Sequence, residues 1–139
     1  MTVIDATDLI LGRMATEVAK RALKGESIDI VNSEKTVITG GRLSILADYE
    51  HRRARGSEAR GPYYPKNPDD ILRRAIRGML PYKQSKGELA FKRVSCYMGV
   101  PKEFEKAKLE TIKTANISRL SSSKYVSLEE IGHYLGGKR

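Results

Sequence analysis

Arg73, Arg74 and Arg77 stand close together in the stretch NPDDILRRAIRGMLPYKQSKG, residues 67–87, at a spacing that puts them on one side of a helix, opposite the apolar stripe Leu72, Ala75, Ile76 and Met79. A guanidinium is always charged, forks onto phosphate oxygens and stacks on flat rings, so the chemistry offered is phosphate binding. The cations do not stop with the helix. Lys83 and Lys86 follow Pro81, and upstream lie Arg52, Arg53 and Arg55, then Arg60 and Lys66 interleaved with Tyr63 and Tyr64. Tyrosine rings give faces for stacking on unpaired bases as well as hydroxyl donors. Between residues 51 and 93 there are twelve Lys+Arg against four acidic residues, a broad surface for the phosphates of a folded RNA.

Catalytic constellations are not apparent. His51 and His133 are far apart, without a paired carboxylate spacing, and His51 among arginines suits a phosphate contact or a structural role. Ser121 and Lys124 have a Ser-x-x-Lys spacing, but the companion motifs of that enzyme class are missing. A soluble nucleotide-binding α/β enzyme is the alternative reading. Its difficulty is the first strand-to-helix turn, DATDLILGR, which has neither the spaced glycines of a dinucleotide site nor a P-loop. Cys96 is the single cysteine, so no disulfide within the chain and no structural zinc site are expected; it reads as a small core residue in a reducing compartment. No cofactor or small-molecule substrate is expected. No apolar run approaches the roughly 18 residues of a membrane span, and the N-terminus lacks a basic leader, so a soluble intracellular protein is expected.

The elements that must hold the basic residues follow from periodicity. Residues 2–6 read as a strand, and residues 11–24 as an amphipathic helix with Leu11, Met14, Ala15, Val18, Ala19 and Ala22 inward, closed by Gly25. Residues 27–32 form a second strand, apolar on both faces as central parallel strands require, so the unit is βαβ with a right-handed crossover. Residues 35–39 are a third β-prone piece. A second helix over 42–55 turns Leu43, Leu46, Ala47 and Tyr49 inward and crowds His51, Arg52, Arg53 and Arg55 into its last turns. Residues 56–66, with two Gly and two Pro, are an irregular loop long enough to suggest a function.

Asn67 and Pro68 begin the arginine helix, with Asp69 and Asp70 in its first turn. Pro81 ends it, and an extended basic turn then carries Lys83 and Lys86 to Gly87. A helical turn or two over 87–93 and a strand over 94–98 come next. Residues 101–110 are compatible with a helix, and 111–124 read as an extended arm lying on a partner. Ser127 and Glu130 form a capping box for a short last helix, frayed after Gly136.

Charge is distributed unevenly among these elements. Residues 1–47 carry six basic and six acidic residues, 48–102 carry thirteen and six, and 103–139 carry seven and five, within an overall net charge of +9. A neutral first third builds a core and a basic middle meets a polyanion. One domain over 1–139 is expected, with about 103–139 as a C-terminal extension packed on it or on partners.

The segments VIDATDLILGRMATEVAKRALKG, IDIVNSEKTVITG, ARGPYY and RAIRGMLPYKQSKG, in this order and spacing, resemble the universal large-subunit ribosomal protein thirteen family in its archaeal form. The resemblance spans about residues 2–101. It implies a three-layer α/β/α domain around a small, mostly parallel sheet of about four strands, without enzymatic activity. It further implies a cytoplasmic protein packed on large-subunit rRNA beside neighbouring ribosomal proteins, taking part early in subunit assembly. Carried over by position, the RNA-contacting residues it implies are Arg52, Arg53, Arg55, Arg60, Tyr63, Tyr64, Lys66, Arg73, Arg74, Arg77, Lys83 and Lys86, with Gly78 and Pro81 shaping the turn.

Overall fold

Val3 and Ile4, adjacent in the strand β1 (Thr2–Asp5), point to opposite faces and are both buried, which marks a strand covered on two sides. In the computed structural model, which describes residues 1–137, β2 (Ile28–Val31) pairs with β1 in parallel, from Thr2 opposite Ile28 to Asp5 opposite Val31. The strands β4 (Val94–Cys96) and β5 (Leu109–Glu110) complete a parallel sheet of order β4-β2-β1-β5. The α/β class and the four-stranded parallel sheet are those read from the sequence. Its membership is not: the third β-prone piece, β3 (Val37–Thr39), leaves the sheet and pairs antiparallel with β6 (Tyr125–Ser127). The cause lies at the end of β2, where Asn32 takes a left-handed conformation (φ 56°) and a 3-10 turn, Ser33–Lys35, redirects the chain. Asp5 holds that turn, accepting hydrogen bonds from the Asn32 amide at 3.0 Å and from the Thr7 hydroxyl at 2.6 Å.

One face of the sheet presents Ile4, Ile28 and Ile30 to the helices. The helix α1 (Leu11–Leu23) buries Met14, Ala15, Val18, Ala19 and Ala22 there. It closes as a Schellman turn: Gly25 (φ +100°) donates to Ala22 O and Glu26 to Arg21 O. On the other face Val3 and Val31 lie under Phe104, Tyr97 and Ala107. That demand corrects the helix expected over 101–110, which is a single 3-10 turn, Lys102–Phe104, followed by β5. The stretch after β5, read as an arm on a partner, is seated on this chain itself: Ile112 and Ala115 are buried, Ala115 O accepts from Ile10 N at 2.7 Å, and Ile117 N donates to Asp8 O at 2.9 Å. In α5 (Leu128–Tyr134), the Ser127 hydroxyl accepts from Glu130 N at 3.3 Å, as the capping box requires. The fraying expected beyond Gly136 falls mainly on Lys138 and Arg139, outside the described residues.

The helix α2 (Arg42–Ala54) buries Leu46 and Tyr49, but Leu43 and Ala47 are exposed, contrary to the inward face read from the sequence. It rests on α5 and β6 along one narrow line. The helix α3 (Pro68–Gly78) buries Ile71, Leu72 and Ile76 completely. Met79 was expected to extend that stripe; it is 44% exposed, because the helix ends at Gly78 and Leu80 takes the core position. The basic turn after Pro81 is closed rather than extended, with Gln84 N donating to Pro81 O at 2.9 Å, and α4 (Ser85–Lys92) begins at once, so Lys86 is helical. A Cβ on Gly87 would stand 2.0 Å from the Pro81 carbonyl oxygen, which makes glycine the residue that lets α4 cross this turn.

Candidate nucleic-acid interface

The C-terminal turn of α2, the loop 56–66 and the middle of α3 meet around two tyrosines. Tyr49, buried on α2, packs edge-on against Tyr64 of the loop with ring centroids 5.9 Å apart. Arg52 lies over Tyr49 at 5.0 Å and Arg74 over Tyr64 at 4.7 Å. The backbone of the loop is held by Arg53, which donates to Tyr64 O at 2.9 Å, and by Arg74, which donates to Tyr63 O at 3.2 Å. Arg55 meets His51 Nε2 at 3.2 Å, one helical turn back, and Arg52 pairs with Asp48 at 2.8 Å. Arg52, Arg55 and Arg74 thus converge on a groove floored by Pro62 and Tyr64. Each guanidinium is already oriented, which lowers the entropy lost when it binds an anion.

Burial and the neighbouring Tyr64 push the Tyr49 phenol up to about 12, so it stays neutral and serves as a ring. Desolvation opposes the Arg52 charge, but the Tyr64 hydroxyl and Asp48 outweigh it and raise its pKa. Tyr63 is 67% exposed, its hydroxyl donating to Glu58 O at 2.5 Å, so its ring is displayed on a fixed support. Tyr64, by contrast, has its ring engaged by Tyr49 and Arg74 and anchors the loop.

The other sequence-derived residues divide. Arg77 lies over Tyr82 at 4.9 Å, beside the exposed Lys83 and Lys86, and so continues the cationic surface along the Pro81 turn. Arg60 and Lys66 are exposed on the loop. Arg73 is placed apart. Its guanidinium lies over Phe91 at 4.2 Å, and its Nε donates to Val94 O at 3.3 Å on the edge strand β4. Gly78 is helical, with nothing within 4 Å of where its Cβ would be, so the turn does not depend on it. Pro81 lies in the turn, its carbonyl accepting from Gln84 N.

Sequence reasoning did not assign Tyr49, Tyr82 and Phe91 as platforms for the arginines. For Tyr49 a signal was present, since Arg52 and Arg53 follow it at i+3 and i+4, where helical side chains touch. Among the described residues no group of three or more His, Cys, Asp or Glu is placed to hold a metal ion, and no helix is long and apolar enough to cross a membrane.

The family model described as "Ribosomal protein L13" matches residues 1–103, a span that contains every arginine and lysine of the candidate interface. The chain belongs to the ribosomal protein L13 family. A relative in Methanosarcina barkeri, called large ribosomal subunit protein uL13, is 52% identical over 139 residues, covering 99% of both chains. The proteins of the same name in Methanocaldococcus jannaschii and Methanococcoides burtonii are 49% and 45% identical, again covering 99% of each chain. These matches run through residues 104–139 as well. The family is one of structural ribosomal proteins rather than enzymes, which removes the nucleotide-binding enzyme as a reading.

Proposed function

We propose that this chain is a structural constituent of the large ribosomal subunit in the cytoplasm, where it binds large-subunit rRNA, adjoins other ribosomal proteins and supports early subunit assembly. The observation that carries the RNA-binding part is the oriented arginine set, Arg52, Arg55 and Arg74, on the Tyr49–Tyr64 support. Flanking contacts come from Arg53 on α2, Arg60, Tyr63 and Lys66 on the loop, Arg77 on α3, Lys83 in the Pro81 turn and Lys86 on α4. Tyr64 acts by anchoring the loop. Arg73 acts indirectly, fixing α3 against β4 and α4 through Val94 O and Phe91. Phosphate contacts of this kind give affinity and salt dependence, while register comes from the shape of the folded RNA.

Sedimentation of a cell extract through a sucrose gradient, with the chain detected in each fraction at low and high salt, tests the reading. Co-migration with the large subunit that persists at high salt is expected. A chain found only as a free small protein would refute it.

A further inference from the structure

The arginine groove does not stand alone. A second hollow of about 440 Å³ opens beside it, lined in part by Arg53, Arg55, Ser57, Glu58, Pro62 and Tyr63; the first, of about 330 Å³, holds Arg52, Arg55, Arg74 and Tyr64. Arg55, Pro62 and Tyr64 line both, so the two hollows share a wall and differ in character. One gathers three guanidinium groups. The other is lined by Ser57, Glu58 and Tyr63, whose ring has a fixed support, and of its two arginines Arg53 is committed to the Tyr64 carbonyl.

We infer that the pair forms a receptor for one unpaired nucleotide of the RNA, with its phosphate among Arg52, Arg55 and Arg74 and its base in the hollow beside Tyr63. This deepens the rRNA-binding reading and rests on it. The assignment of the two ends follows from charge. Glu58 repels a phosphate and accepts from base amino groups, whereas the arginines attract the phosphate and offer no acceptor. An aromatic side chain at the base end fits the way proteins hold splayed-out bases, stacked on a ring and hydrogen-bonded along an edge. The same logic sets a preference: adenine, guanine and cytosine carry an exocyclic amino group for Glu58, and uracil carries none.

NMR on the isotope-labelled full chain tests this, with separate titrations of inorganic phosphate and of AMP, GMP, CMP and UMP. Phosphate should move the side-chain resonances of Arg52, Arg55 and Arg74 and leave the Tyr63 ring unaffected. The amino-bearing nucleotides should move both sets and bind about 5- to 100-fold more tightly than phosphate, the range of one base–aromatic stack, with UMP the weakest of the four. Tyr63→Leu should reduce nucleotide affinity to the phosphate level without changing phosphate affinity. Arg55→Gln, on an exposed side chain, should weaken both. Nucleotides no tighter than phosphate, or shifts spread evenly over Arg13, Lys20 and the rest of the surface, would overturn the inference. Affinity for large-subunit rRNA, measured on the same samples, separates the two levels. Intact rRNA binding without nucleotide selectivity refutes the receptor alone, and loss of both refutes the RNA reading with it.

Discussion

Arg74 couples two tasks, since one guanidinium covers the Tyr64 ring and bonds the Tyr63 carbonyl while lining the anion groove. Arg74→Ala should therefore loosen the loop 56–66 as well as weaken RNA binding. Faster amide exchange confined to that loop, with a global stability loss of about 1 kcal/mol or less, is the expected pattern. Uniform loss of protection would contradict it. Asp5 is a residue of the opposite kind, half-buried and committed within the fold. Burial alone would raise its pKa, but hydrogen bonds from the Thr7 hydroxyl, Asn32 and the Thr7 amide, together with the charge of Lys35, lower it. A depressed folded pKa gives stability that is present above the ordinary aspartate range and is lost as pH falls through the folded value. Asp5→Ala should cost about 1–2 kcal/mol at neutral pH, and the gap from the parent should close on acidification, as denaturant unfolding at several pH values will show. None of this was legible beforehand for Asp5 or Arg73, because the partners that decide their roles, Asn32 and Val94, are distant in the chain.

Among the elements, positions were readable down to the short strands β3 and β4, while the pairing of the shortest strands was not. The helices α1 and α3 declare themselves through 13 and 11 residues of amphipathic pattern, with cap and stop signals. By contrast β3, β4 and β5 are two or three residues long, and their pairing depends on the turn at Asn32 and on the need to cover Val3 and Val31. The arc of burial on α3 was misplaced for a related reason: Met79 lies beyond the last helical residue, where the wheel no longer applies. Leu72→Ala should accordingly cost about 2–5 kcal/mol, whereas Met79→Ala should change the unfolding midpoint little; equal losses would reject this placement. Gly87→Ala sets two effects against each other. Helix propensity favours alanine by about 1 kcal/mol, but the new Cβ meets the Pro81 backbone at 2.0 Å, and overpacking against backbone costs about 1–3 kcal/mol or more. A lower melting temperature is expected, and a higher one would show that α4 does not cross the turn as described.

For the molecule as a whole, the charge map was the most informative part of the sequence. A neutral first third supplies β1, α1 and β2, and the basic middle supplies the cationic surface of α2, the loop and the Pro81 turn. Composition could locate that surface but could not say which cations are free and which are committed within the fold. Arg73 looked equivalent to Arg74 on a helical wheel, yet it faces the sheet edge, because Phe91 and Val94 come to it from α4 and β4. On the proposed function the oriented arginines meet RNA phosphates. The most direct measurement is the affinity of the chain for large-subunit rRNA across a range of salt concentrations, for the parent and for Arg52→Gln/Arg55→Gln/Arg74→Gln, with the folded state of each checked by melting temperature. If each arginine neutralises a phosphate, the logarithmic salt slope should fall by about 0.7–0.9 per residue replaced, roughly two to three in total, with weaker binding at low salt. Parallel slopes for two folded proteins would contradict the account.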